Sequence, residues 1–259
     1  MKAAPDYRII GGGSTVQSVP LQAWLLAPNQ DATARVLSLL HDEEQSHRAR
    51  FANARDRDVF AVTRAALRCL LSLELGVPPA EVKLVSGPWG KPLLAEAHRR
   101  PHLDFSVAHS GDHSVIAISR RGRTGIDIER SRPVPEHGKI AAEVFGGETA
   151  LNLGRVPADR RDDIFLRLWT AGEACLKAEG LGFAGNGGRA PVELSSDGAP
   201  QIKIDPNSPG ASHSGWALLS LDLPPGYVGN VAIENSAHAR HAHCVPEHVD
   251  IAHLTTCVS

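Results

Sequence analysis

The residues best suited to chemistry are two carboxylates two positions apart and, further along, a carboxylate and an amine four apart. In Gly125-Ile126-Asp127-Ile128-Glu129, isoleucine alternates with carboxylate. A strand has a side-chain period of two, so Asp127 and Glu129 project from one face and Ile126 and Ile128 from the other. Two carboxylates held that close repel unless something positive lies between them, and a hard divalent cation such as Mg²⁺ is the usual solution. An ordinary solvated acidic strand shows the same alternation. Asp162 to Glu179 reads as a helix with Phe165, Leu168, Trp169 and Leu176 as its apolar stripe. Glu173 and Lys177 lie on one face of it, carboxylate first, the favourable order for an ion pair. On a solvated face such a pair is worth roughly 0.3–0.5 kcal/mol. Trp169, one turn earlier, argues against a plainly solvated face.

Three further groups of residues have a chemical and an ordinary reading. In Gly87-Pro88-Trp89-Gly90-Lys91-Pro92, proline stiffens the backbone and presents Lys91 either as a point charge for phosphate or as an exposed turn lysine. Leu103–His109 and Ser114–Ser119 read as paired strands joined by Ser110-Gly111-Asp112-His113, with His109 at a strand end. Antiparallel pairing is expected to bring His109 and the Asp127 strand into one sheet. His47, Arg48, Arg50, Arg55 and Arg57 follow the acidic Asp42, Glu43 and Glu44. A solvated basic face is the ordinary explanation for them, and a site for a terminal phosphate the sharper one.

The elements that must position these residues alternate in type. Val19–Leu26 reads as a first strand. A helical region begins near Leu37, carries Phe60, Leu67, Leu70, Leu71 and Leu75 at helical spacing, and ends at Gly76 before Pro78-Pro79. Glu81–Val85 reads as a strand and Glu136–Phe145 as a short helix. Val192–Leu194, Trp216–Leu221 and Val228–Ile233 read as later strands, the last two joined through Pro224-Pro225-Gly226. Gly11-Gly12-Gly13-Ser14 is a flexible lead-in; no Gly-Lys-Ser/Thr follows to make a phosphate loop. Five of the thirteen histidines fall after Ser236 without ligand-like spacing, so a mobile tail is expected there.

Composition excludes several classes. With 259 residues and a formal net charge of -2, the chain has ample core and no basic field that would suit nucleic acid. Cys69, Cys175, Cys244 and Cys257 form no CxxC pair, which suits a reduced cytoplasmic protein. Met1–Pro20 lacks a signal-peptide pattern, and no apolar run is long enough to span a membrane.

Taken in order, Gly90-Lys91-Pro92, Phe105 to Gly111 (FSVAHSG), Gly125 to Glu129 (GIDIE), and Trp169 to Lys177 (WTAGEACLK) with Gly180 and Gly182 resemble the 4′-phosphopantetheinyl transferases. The length matches the larger, pseudo-dimeric type, which activates polyketide and nonribosomal peptide carrier proteins. The resemblance implies an α+β fold of two similar halves in a pseudo-twofold arrangement, at 1–120 and 121–235, with 236–259 as the tail. It implies a monomer acting on acyl or peptidyl carrier protein domains, with coenzyme A as substrate and Mg²⁺ or Mn²⁺ as cofactor. Asp127, Glu129 and Glu173 would hold the metal. His109 would contact the coenzyme A phosphates, and Lys91 with Pro92 the nucleotide end. Lys177 would neutralise the pyrophosphate, and Glu173 would serve as base. His47, Arg48 and Arg50 compete for the 3′-phosphate. With no ligand pattern after Ser236, deletion of residues 240–259 is expected to leave transfer largely intact.

Two positions depart from the family pattern. Ala108 replaces a frequent serine, removing a hydroxyl contact. Gly172 replaces a frequent lysine, weakening its helix turn by up to about 1 kcal/mol relative to alanine. The competing readings are a non-catalytic module that binds coenzyme A or a nucleotide, and a metal-dependent phosphatase or nucleotide hydrolase.

Overall fold

The computed structural model describes residues 21–28, 30–182, 186–195, 198–203, 216–234 and 243–249. The glycine-rich lead-in and most of the expected tail lie outside them. The first part of the chain runs β1 (Leu21–Leu26), α1 (Gln30–Val36), α2 (Asp42–Ala49), α3 (Ala54–Leu75), β2 (Leu84–Ser86), β3 (Pro92–Leu94), β4 (Asp104–Ser110) and β5 (His113–Ser119). The second runs β6 (Thr124–Arg130), α4 (His137–Val144), α5 (Gly147–Arg155), α6 (Arg161–Glu179), β7 (Val192–Leu194), β8 (Pro200–Ile202), β9 (Trp216–Leu221) and β10 (Tyr227–Glu234). Two short strands follow, β11 (His243–Cys244) and β12 (Glu247–His248). Among the described residues no helix is long and apolar enough to cross a membrane.

These α+β elements build two four-stranded sheets, ordered β12-β1-β5-β4 and β11-β9-β10-β6. Each contains an antiparallel hairpin, β4–β5 or β9–β10, whose second strand also pairs with the strand that opens its part of the chain. Two-residue alternation then sorts the side chains into layers. On β1 and β5, Trp24, Leu26, Ile116 and Ile118 pack under α3, while Ala23, Leu25, Val115 and Ala117 face the other way. On β6, β9 and β10 the inward set is Ile126, Ile128, Leu219, Val231 and Ile233. Those two inward sets form one apolar core between the sheets. Helices α3 and α6 cover the outer faces, giving the layer order helix, sheet, sheet, helix.

The ends of the long helices have local causes. The Asn53 side chain accepts from the Arg55 amide at 2.9 Å and caps α3, and Gly76 closes it in the left-handed region at φ +68°. Gly180, at φ +72°, closes α6 in the same way. The helical region before α3 begins at Gln30 rather than near Leu37, and the expected strand at Glu81–Val85 is a turn of 3-10 helix followed by β2.

Two expectations change. His109 and Asp127 do not share a sheet: β4 is the edge of one and β6 the edge of the other. The two edges lie side by side, joined by β4 side chains that accept from three β6 amides. Asp104 Oδ2 accepts from Thr124 N at 2.8 Å, Ser106 Oγ from Ile126 N at 3.1 Å, and Ser110 Oγ from Arg130 N at 3.0 Å. The tail is also not wholly mobile. β11 pairs with β9 and β12 with β1, so residues 243–249 run from one sheet to the other. Cys244 is buried in the core between the sheets, and Val249 N donates to Leu25 O at 3.1 Å.

Candidate functional site

The candidate residues gather along the seam between β4 and β6, beside α6 and the first turn of α3. β6 is pressed against α6 because Gly125 has no side chain. A Cβ at that position would overlap the Ala174 carbonyl and the Ala178 amide, so the strand and the helix backbone meet directly there. The helix is also fixed to β10, the neighbour of β6. Asn230, paired in register with Asp127, donates through Nδ2 to Thr170 Oγ1 at 2.7 Å and Arg167 O at 3.0 Å. Gly172 meets Phe145 and Ala190 so closely that a Cβ would lie 2.8 Å from the Ala190 methyl. The glycine therefore serves packing, which outweighs its helix propensity.

This contact sets the central ion pair. Lys177 Nζ donates to Asp127 Oδ1 at 2.7 Å and to Ile126 O at 3.4 Å. Asp127 is 7% exposed, and its carboxyl is pushed up to about 6. Burial is the main cause; Lys177 opposes it, and the negative charges of Glu173 and Glu129 add to it. The three carboxylates expected to act together thus lie within one another's field, Asp127 and Glu129 on the β6 face opposite Ile126 and Ile128. Glu129 Oε2 accepts from Ser110 Oγ at 2.8 Å and from Arg132 NH1 at 3.1 Å.

His109 stands exposed at the end of β4, and its imidazole is held below its ordinary value. Crowding by the protein is the first cause and the Lys177 ammonium the second, while Asp56 and Glu129 pull the other way. It therefore shares the cleft with the acidic group and with the first turn of α3.

Lys91, expected at the nucleotide end, lies in the seam. Its Nζ donates to Asp104 Oδ2 and to Thr124 O, both at 3.0 Å, and its side chain is 11% exposed. The ammonium thus ties the loop before β3 to β4 and β6. Pro92 opens β3 beside it. Of the three cations competing for a terminal phosphate, the His47 ring packs on Phe51 and Phe60 with centroids 5.3 and 5.0 Å away. Arg50 is exposed. Arg48 lies 3.6 Å from Asp58, and its buried Nε has no hydrogen-bond partner among the described residues.

In kind, three carboxylates around a buried aspartate suit a hard divalent cation. They are not gathered into a cage: among the described residues no three His, Cys, Asp or Glu side chains converge closely enough to hold a metal ion. Lys177 supplies positive charge at Asp127, and Ser110 and Arg132 hold Glu129. Sequence reasoning missed Ser110, Arg132 and Asn230. The serines carry a signal, since Asp104, Ser106 and Ser110 keep one parity along β4 and face β6. Asn230 becomes visible only once the β6–β10 register is known.

Two helix-covered sheets with acidic and basic groups gathered in the seam between them define an α+β protein with a charged cleft. A model described as 4′-phosphopantetheinyl transferase, N-terminal, matches residues 22–121, and one described as the 4′-phosphopantetheinyl transferase superfamily matches residues 123–232. A putative 4′-phosphopantetheinyl transferase of Synechocystis sp. is 32% identical over 202 residues, covering 78% of this chain and 80% of its own length. 4′-phosphopantetheinyl transferase HetI of Nostoc sp. is 30% identical, covering 75% and 78%. Sfp of Bacillus subtilis is 25% identical, covering 77% and 84%. The chain belongs to the 4′-phosphopantetheinyl transferase superfamily.

Proposed function

We propose that this enzyme transfers the 4′-phosphopantetheine group of coenzyme A to a serine of an acyl or peptidyl carrier protein, releasing 3′,5′-ADP. The observation that carries this reading is the Lys177–Asp127 ion pair at 2.7 Å in the seam, within the field of Glu129, Glu173 and His109. The two parts of the chain are related by a pseudo-twofold axis. Support comes from their shared order of opening strand, helices, small hairpin and larger hairpin. Cys69, Cys175 and Cys244 are buried and form no disulfide among the described residues, which suits a reducing cytoplasm.

In this mechanism the serine hydroxyl attacks the β-phosphorus of coenzyme A. A phosphorus–oxygen bond forms to the serine as the one to the 3′,5′-ADP leaving group breaks. Glu173, directly or through a water, takes the serine proton. Asp127, Glu129 and Glu173 would hold a Mg²⁺ ion, which when bound neutralises charge on the pyrophosphate. Lys177 follows the developing charge on the leaving oxygens, moving between Asp127 and the pyrophosphate. His109 donates to a phosphate oxygen. Arg48 takes the 3′-phosphate, because its buried Nε lacks a partner while Arg50 is exposed and His47 is packed among aromatic rings.

Intact-mass measurement of an apo carrier protein incubated with enzyme, coenzyme A and Mg²⁺ tests the reading. Transfer adds about 340 Da to the carrier, the mass of the cofactor's arm. An unchanged carrier with coenzyme A retained on the enzyme would mean a binding module. An unchanged carrier with coenzyme A cleaved would mean a hydrolase.

A further inference from the structure

Ser110 ends β4 at the point where the seam meets the acidic face of β6. Its hydroxyl has one proton to donate. The Arg130 amide, a donor only, points at Ser110 Oγ from 3.0 Å, so the hydroxyl proton is free to turn to Glu129 Oε2 at 2.8 Å. A hydrogen bond to an ionised carboxylate is among the stronger kinds. Arg132 NH1 falls on the same oxygen, Oε2, at 3.1 Å, and among the described residues no hydrogen bond falls on Oε1. Ser106, four residues earlier, accepts from the Ile126 amide at 3.1 Å in the same seam but, among the described residues, reaches no acidic side chain.

The turn that carries Ser110 is held from several sides. Gly111 sits at φ +55°, and a Cβ there would lie 2.8 Å from the Tyr227 hydroxyl. That hydroxyl accepts from the Asp112 amide at 3.1 Å, and the Asp112 carboxylate pairs with Arg55 at the start of α3. A hydroxyl on so fixed a turn holds a carboxylate in one orientation, as the outer partners of ligand side chains do.

We propose that Ser110 is a positioning residue for Glu129: its hydroxyl holds Oε2 so that Oε1 is presented to the divalent cation. The proposal rests on the reading of Glu129 as a cation ligand. The test is Mn²⁺ binding, measured without coenzyme A on the full chain at a temperature where every variant is folded. Ser110→Ala should weaken Mn²⁺ binding about tenfold, as loss of an outer partner does, and Ser110→Thr should restore it to within about twofold. Ser106→Ala removes a seam acceptor without touching a carboxylate, so it should lower the melting temperature and leave Mn²⁺ affinity unchanged. Equal weakening by Ser106→Ala and Ser110→Ala would reduce Ser110 to a seam residue and overturn the proposal. Glu129→Gln separates the two levels. If it binds Mn²⁺ like wild type, the reading of Glu129 as a ligand falls. If it weakens binding while Ser110→Ala does not, the positioning role alone falls.

Discussion

At the scale of single residues, Asp127 combines burial with charge in a way that opposes stability. Its folded value of about 6 lies above the ordinary 3.8, so the folded chain holds that proton more tightly than the unfolded one. Stability from this group is complete below the ordinary value and is lost as pH rises through 6. Asp127→Asn cannot ionise, so without divalent cations it should be the more stable protein by roughly 1–3 kcal/mol above pH 7. The advantage should vanish below about pH 4, and transfer should be abolished. Thermal melts of both proteins across that range check this; a constant difference at every pH would mean that Asp127 is not a buried carboxylate. The alternation in Gly-Ile-Asp-Ile-Glu was enough to place both acids on one face. The lysine partner was not legible, because Glu173 and Lys177 at helical spacing describe a surface pair equally well. Lys177 joins Asp127 only because α6 crosses β6 at Gly125.

Among the elements, that crossing is the most sensitive contact. Gly125→Ala would push a methyl group into the backbone of α6, which no rotamer can relieve. It should cost more than about 3 kcal/mol or prevent folding, as urea unfolding would register. The β4–β6 seam offers the opposite experiment. Its acceptors recur at Asp104, Ser106 and Ser110, and Ala108 interrupts them opposite Ile128. Ala108→Ser should supply the missing acceptor and stabilise the joint by about 0.5–1.5 kcal/mol; a lower melting temperature would show that the core between the sheets does not tolerate the hydroxyl. Helices and hairpins here were largely readable from apolar periodicity and from Gly76 and Gly180. The seam was not: β4 and β6 make side-chain to backbone bonds, and a period-two pattern cannot say whether two strands share a sheet or meet edge to edge. Lys91 shows the same limit, since its stiff loop was visible and its burial against Asp104 and Thr124 was not.

In the whole molecule, two sheets meet at one seam, and residues 243–249 bridge them at their far edges through β11 and β12. Deleting residues 240–259 removes buried Cys244 and both strand pairings, so it should lower stability by about 2–4 kcal/mol. An unchanged melting temperature would restore the mobile tail expected from its histidine-rich composition. Such two-residue strands carry almost no sequence signal of their own; they form because open edges of β9 and β1 lie within reach. Whether the seam is one catalytic unit is tested most directly by transfer rates, read as carrier mass gain, for Asp127→Ala, Glu129→Ala, Glu173→Ala and the triple variant. Each single change should slow transfer at least about a hundredfold, and the triple should be little slower than the worst single, because all three disable one site. Near-normal transfer by Glu173→Ala would contradict this and leave Glu173 and Lys177 as neighbours on a helix.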